Sequence, residues 1–213
     1  MDTCVIFGAA EFDGLLLPIG ENDLVIAADG GLEHTGKLGL SPNMILGDFD
    51  SLGYVPEGAQ VYPVEKDDTD SMLAVRMGLE KGFRRFVLYG ALDGPRVDHT
   101  LANFQTLLYL AEHGARGYLV GKHQTVTAVK DGCIRFPAGF SGTVSVFCLG
   151  SDAQGVTLRG LHYGLEKGCL TSHFPLGVSN HFLGRPARIT VHEGLVLALW
   201  DRKNGLGVRH ADL

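Results

Sequence analysis

Short apolar runs punctuate the first half of the chain, and each closes at glycine or aspartate. CVIFGAA, LVIAADGG, NMILGDFD, RRFVLYGA and GYLVG read as strands. Their apolar positions are continuous rather than alternating, as in strands covered on both faces. Between them lie segments of helical period. SMLAVRMGLEKG, residues 71–82, is rich in helix formers and stops at glycine. HTLANFQTLLYLAEHG, residues 99–114, sets Leu101, Phe104, Leu108 and Ala111 on one stripe. The alternation predicts a Rossmann-like α/β unit, a mostly parallel sheet with flanking helices.

After Lys122 the pattern changes to short β-rich runs: QTVTAVK, CIRF, GTVSVFCL, GVTLRGL, ARITVHE and GLVLALW. The turns KDGC and HEGL between them read as tight hairpins. This half is expected to be an antiparallel sandwich or barrel; taken as a β-sandwich, it divides the chain into an α/β unit at 1–121 and a β-sandwich at 122–213. Thirty glycines suit a chain with many tight turns.

Composition narrows the function. Of 213 residues, 24 are acidic and 18 are Lys or Arg, a formal charge of −6. That balance gives nucleic acid no broad basic footprint. The four cysteines, Cys4, Cys133, Cys148 and Cys169, form no C-x-x-C pair and are too sparse for a disulfide scaffold. No apolar run reaches membrane-spanning length and the first residues have no basic leader pattern, so a cytoplasmic protein is expected.

The candidate chemistry lies at the strand ends. In NMILGDFDS, continuing the strand pleat would point Asp48 and Asp50 to the same side beyond the carboxyl edge, where open α/β sheets bind ligands. Two adjacent carboxylates repel, and a divalent cation removes the conflict; a turn and helix cap is the structural alternative. KDDTDS, after the run AQVYPV, adds Asp67, Asp68 and Asp70 around Thr69. One side chain suffices as N-cap, and the surplus acids suit Mg²⁺, which takes few carboxylates and keeps waters. A third cluster, YGALDGPRVDHTLAN, brings Arg96, Asp98, His99 and Asn103 to a helix start. Arg96 is suited to a phosphate, or forms a structural ion pair with Asp98 while His99 packs; His99 and Asn103 share a helix face.

The ordered set ADGG, GDFDS, KDDTD and RVDHTLAN, followed by GLHYGL and VSN, resembles the thiamine pyrophosphokinase family over roughly residues 5–200. The resemblance implies an α/β nucleotide-binding domain, a C-terminal β domain, and a homodimer with sites at the subunit interface. It implies transfer of pyrophosphate from ATP to the hydroxyl of thiamine, with Mg²⁺, releasing AMP. On the matched motifs, Asp48, Asp50 and Asp70 would hold Mg²⁺, and Asp29, Arg96 and Asp98 would lie in the nucleotide and substrate cleft. Gly30, Ser51, Asp67, Thr69, His99 and Asn103 belong to the same motifs and count as binding residues. Ser179 and Asn180 would approach thiamine, and Tyr163, contributed by the partner subunit, would stack on its pyrimidine. Either Asp70 or Asp98 would accept the hydroxyl proton.

Two departures stand out. Where the family has Gly-Gly-Arg, this chain has ALDGPR, with Pro95 biasing the preceding pair toward a turn. Between GLHYGL and VSN lies EKGCLTSHFPLG, charged and bulky for a pocket wall; Thr157 is a candidate pocket hydroxyl or a solvent-facing strand threonine. The rival functions are a metal-dependent phosphoesterase and a non-catalytic thiamine or nucleotide sensor.

Overall fold

The apolar runs of the first half pair as a parallel sheet in a computed structural model that describes residues 2–49, 54–61 and 68–212. The strands are β1 (Cys4–Phe7), β2 (Leu24–Ala28), β3 (Met44–Gly47), β4 (Gln60–Val61), β5 (Arg85–Tyr89) and β6 (Arg116–Val120). Their order is β6-β5-β1-β2-β3-β4, every described pair parallel. The chain moves outward from β1 to β4, then returns to the other side of β1 through β5. Such a reversal leaves a crevice at the carboxyl ends of the two strands that part there.

Among the described residues three helices flank the strands: α1 (Gly31–Lys37), α2 (Asp70–Glu80) and α3 (Val97–Glu112). Helix α1 gave no distinct periodic signal. Helix α2 lies close on the sheet because Gly78 has no side chain: a Cβ there would stand 2.6 Å from the Phe86 ring and 2.9 Å from Cys4 Sγ. Burial, with Asp23 adding to it, pushes the Cys4 thiol up to about 12, so it packs as a neutral group. Across the sheet from α2, Phe7 and Tyr89 stack at 5.6 Å and Phe12 packs on both.

Helix α3 is rotated from the expected stripe. Its buried residues are Asn103, Thr106, Leu107 and Leu110, whereas Leu101 is 52% exposed. Polar side chains occupy core positions because they are satisfied: Asn103 Nδ2 donates to Ala91 O at 2.9 Å and Thr106 Oγ1 to Ala102 O at 3.0 Å.

The contacts of the chain divide into the units Met1–Lys122 and His123–Leu213. The second contains β7 (Gln124–Lys130), β8 (Gly132–Phe136), β9 (Thr143–Phe147), β10 (Ala153–Arg159), β11 (Leu165–Leu170), β12 (Asn180–His181), β13 (Ala187–Thr190), β14 (Leu195–Asp201) and β15 (Arg209–Asp212). They pair antiparallel in two sets, β12-β9-β14-β7 and β11-β10-β13-β8-β15. Phe136, Phe140, Phe182 and Trp200 meet edge to face in the core.

The expected KDGC and HEGL hairpins are corrected by this topology. β7 pairs with β14 while β8 pairs with β13 and β15, so both turns cross between sheets. The two crossings brace each other: Asp131 N donates to Gly194 O at 3.1 Å, and Gly194 N to Asp131 Oδ1 at 2.8 Å. Of AQVYPV, Gln60 and Val61 form β4, and residues 62–64 lie outside the described residues. Among the described residues no helix is long and apolar enough to cross a membrane.

Gly78→Ala is expected to destabilise the protein by about 1–3 kcal/mol, since an extra methyl must displace Phe86 or Cys4. Chemical denaturation checks this, and unchanged stability would show that α2 is not held at closest approach.

Candidate active site

Two turns form the floor of the crevice. β1 leaves through Gly8, Ala9 and Ala10, and β5 through Gly90 and Ala91. Gly8 N donates to Tyr89 O at 2.8 Å and Ala10 N to Gly90 O at 3.0 Å. A Cβ on Gly8 would stand 2.6 Å from Gly90 O, and one on Gly90 would stand 2.3 Å from Gly8 O. Glycine is required at both, and at Gly90 the φ of 66° adds a second reason. Above this floor opens a cleft of about 620 Å³.

Acidic residues reach the cleft from three elements. Asp29 follows β2 with φ 48°, held by its N–H to Leu46 O at 2.8 Å. Gly47, closing β3, admits this turn: a Cβ there would meet Asp29 Cα at 3.1 Å. Asp48 follows directly. The pleat expected to align Asp48 with Asp50 does not continue, because β3 ends at Gly47 and buried Phe49 has φ 58°. Asp50 and Ser51 lie outside the described residues, as does Asp67. Asp70 opens α2, where the helix dipole favours its charge. Thr69 is the cap, its Oγ1 accepting from Met72 N at 3.2 Å. Asp68 also lines the cleft, paired with Arg76 at 2.6 Å.

The third cluster splits in two. Arg96, His99 and Asn103 line the cleft with Asp29, Asp48, Thr69 and Asp70; Asp98 and Gly30 do not. Gly30 is instead the N-cap of α1, where a Cβ would stand 2.9 Å from that of Ala9. Arg96 grips Asp98 with a fork, Nε to Oδ1 at 3.2 Å and Nη2 to Oδ2 at 2.6 Å. The hydrogen bond from Arg96 holds the Asp98 carboxyl below its ordinary range, and Arg96 is raised in return. Asn103 fixes the turn after β5 through Ala91 O.

The C-terminal candidates lie in the second unit. Asn180 is buried, and its amide clasps a neighbouring turn: Oδ1 accepts from Tyr163 N at 2.9 Å and Nδ2 donates to Tyr163 O at 2.7 Å. The Tyr163 ring is 61% exposed. Ser179, with φ 56°, donates its N–H to Ser145 Oγ at 3.0 Å. Thr157 is a strand threonine on β10, but it is buried rather than solvent-facing, and its hydroxyl accepts from Lys167 N at 3.1 Å.

The cleft residues that sequence reasoning passed over are mostly backbone: Gly8, Ala9, Ala10, Gly90 and Ala91, with Thr100. Their signal was small residues directly after two apolar runs. Among the described residues no three His, Cys, Asp or Glu side chains cluster as a metal site. The donors on the cleft wall are nonetheless carboxylate oxygens of Asp29, Asp48 and Asp70, the chemistry that a hard divalent cation prefers.

Comparison with known proteins gives consistent matches. Residues 18–119 match the family model described as "Thiamin pyrophosphokinase, catalytic domain", and residues 133–196 match "Thiamin pyrophosphokinase, vitamin B1 binding domain". The thiamine pyrophosphokinase of Bacillus subtilis is 26% identical over 84% of this chain and 87% of its own. The crystal structure of thiamine pyrophosphokinase from that organism superposes with a TM-score of 0.79 at 24% identity, covering 94% of this chain and 99% of its own. Thiamin pyrophosphokinase from Candida albicans gives 0.71 at 14% identity, covering 94% and 89%.

An NMR titration of the carboxyl carbons should give Asp98 a midpoint below the ordinary aspartate range. The pairing with Arg96 is then complete above that range and is lost as pH falls through the lowered midpoint. Arg96→Gln should return Asp98 to the ordinary range; an Asp98 that titrates normally beside intact Arg96 would contradict the pairing.

Proposed function

The chain belongs to the thiamin pyrophosphokinase family, and from that membership we propose how its residues carry out diphosphate transfer from ATP to thiamine. The observation that carries the reading is the convergence of Asp48, Asp70 and Arg96 on one cleft from three separate elements.

In this reading the triphosphate lies over the glycine turns, where backbone N–H groups and the N-terminus of α2 suit an anion. Asp48 and Asp70, with Asp50, hold Mg²⁺, which neutralises phosphate charge when bound. The thiamine hydroxyl oxygen attacks the β-phosphorus in line; the bond from that phosphorus to the bridging oxygen of the α-phosphate breaks, and AMP leaves. The hydroxyl proton passes to Asp70. Asp98, the alternative acceptor, stands off the cleft wall. Arg96 is aimed by Asp98 and offsets the charge that builds on the phosphoryl oxygens. Asp29, Thr69, His99 and Asn103 shape the nucleotide side, Thr69 and Asn103 by holding backbone. Gly30 supports the Ala9 turn from beneath; Ser51 and Asp67 extend the flanking motifs.

Thiamine is read by the second unit, in which Asn180 and Ser179 position Tyr163 to stack on a flat cationic ring. A homodimer completes the site, with Tyr163 of the partner subunit covering the cleft. Exposed apolar groups on both units support this: Val97 and Leu101 beside Arg96 on α3, and Tyr163, Phe174, Leu176 and Val178 on the β unit. The cytoplasm suits the chain, since all four cysteines are free.

Asp48→Asn and Asp70→Asn should each reduce thiamine-dependent AMP formation by at least a thousandfold with unchanged circular dichroism. Near-wild-type AMP formation in either would remove the metal assignment, and phosphate release independent of thiamine would point to a phosphoesterase. Leu101→Asp should shift the dimer toward monomer in light scattering and reduce turnover at least tenfold. A fully active monomer would overturn the shared site.

A further inference from the structure

The sheet face opposite α2 and α3 carries a second cavity with no part in the cleft. Near the amino ends of β1 and β5, a pocket of about 320 Å³ lies beneath the segment at residues 17–20. Val5, Leu17, Pro18, Ile19, Val87 and Tyr89 make it mainly apolar. Its cation is Arg85, the first residue of β5.

Arg85 stands in register with Arg116 of β6. Register partners in a parallel sheet project from the same face, so two guanidinium groups start side by side. Like charges in that position repel. Tyr118, in register with Val87, senses both: burial raises its hydroxyl pKa, and Arg85 and Arg116 act against the rise. Neither arginine side chain has a hydrogen-bond or ion-pair partner among the described residues. The carboxylate on the pocket wall, Asp23, is occupied with backbone: Oδ1 accepts from Thr3 N at 2.7 Å and Oδ2 from Gly20 N at 2.8 Å. Adjacent Arg84 differs, donating to Leu79 O and Phe83 O.

An apolar chamber with one guanidinium fork on its wall, and a second alongside, suits an anion with an apolar body. We propose that this pocket is a separate binding site for a small organic carboxylate with an apolar body. The carboxylate sits on Arg85 in bidentate geometry, the Arg116 charge reinforces it, and the body fills the space against Val5, Ile19 and Val87. The volume is at the small end for ligand sites, which limits the body to a short branched chain or one ring. The site stands independently of the chemistry proposed for the cleft.

The test is a heteronuclear NMR titration of the full chain with 4-methylpentanoate, its amide, and inorganic phosphate. The acid should saturate, moving amides of Val5, Ile19 and Val87, while the amide and phosphate bind at least tenfold more weakly. Arg85→Met should weaken the acid at least tenfold and leave thiamine-dependent AMP formation unchanged. Ile19→Trp, which fills the chamber with Arg85 intact, should do the same. Equal binding of acid and amide, equal binding of phosphate, retained affinity in either variant, or shifts confined to the cleft would each overturn the proposal.

Discussion

Two backbones meet at the mouth of the first unit with no side chain between them. Gly8 and Gly90 interlock through their carbonyls, and Gly31 lets α1 start hard against β1, where a Cβ would stand 1.8 Å from Phe7 O. A single methyl at any of these points would push the strands or helix apart. The result is a crevice floored by main chain and small residues, held in fixed position by these close approaches. The close seat of α2 through Gly78 extends the same constraint, setting Asp70 at a helix start beside this floor.

The regular elements of the first unit were readable because a strand covered on both faces and a helix ending at glycine each leave a local pattern. What was misread depended on partners that sequence does not display. The α3 stripe was assigned by counting apolar residues, but Asn103 and Thr106 can occupy the core once Ala91 O and Ala102 O satisfy them, and this turns Leu101 outward. KDGC and HEGL have the composition of hairpins; whether a turn closes one ladder or joins two sheets is decided by which strands lie alongside. The alignment of Asp48 with Asp50 assumed a pleat that Gly47 and Phe49 interrupt; Asp48 stands at the cleft, and Asp50 lies outside the described residues.

The C-terminal motifs show a similar division between identity and role. Asn180 belongs to a signature that suggested contact with thiamine, yet its amide is engaged by the backbone of Tyr163 on both sides. Buried amides of this kind specify a turn with little tolerance, since losing one leaves backbone groups unsatisfied. A motif residue can therefore hold backbone rather than face a cleft, and spacing alone does not distinguish the two.

Two acids of these clusters are held by arginines. Arg76 takes Asp68 and Arg96 takes Asp98, so both carboxylates have a structural balance. Asp29, Asp48 and Asp70 face the same volume, and an ATP triphosphate brought there alone would meet like charge at short range. Backbone N–H groups and Arg96 offset part of that repulsion. In the proposed enzyme a divalent cation would offset the rest, which would make nucleotide and metal binding one linked equilibrium, each raising the affinity of the other by the same factor. On the proposed function, the cleft carboxylates Asp29, Asp48 and Asp70 would then also set a condition on the substrate, since a metal-bound triphosphate suits a wall of this sign better than a free one.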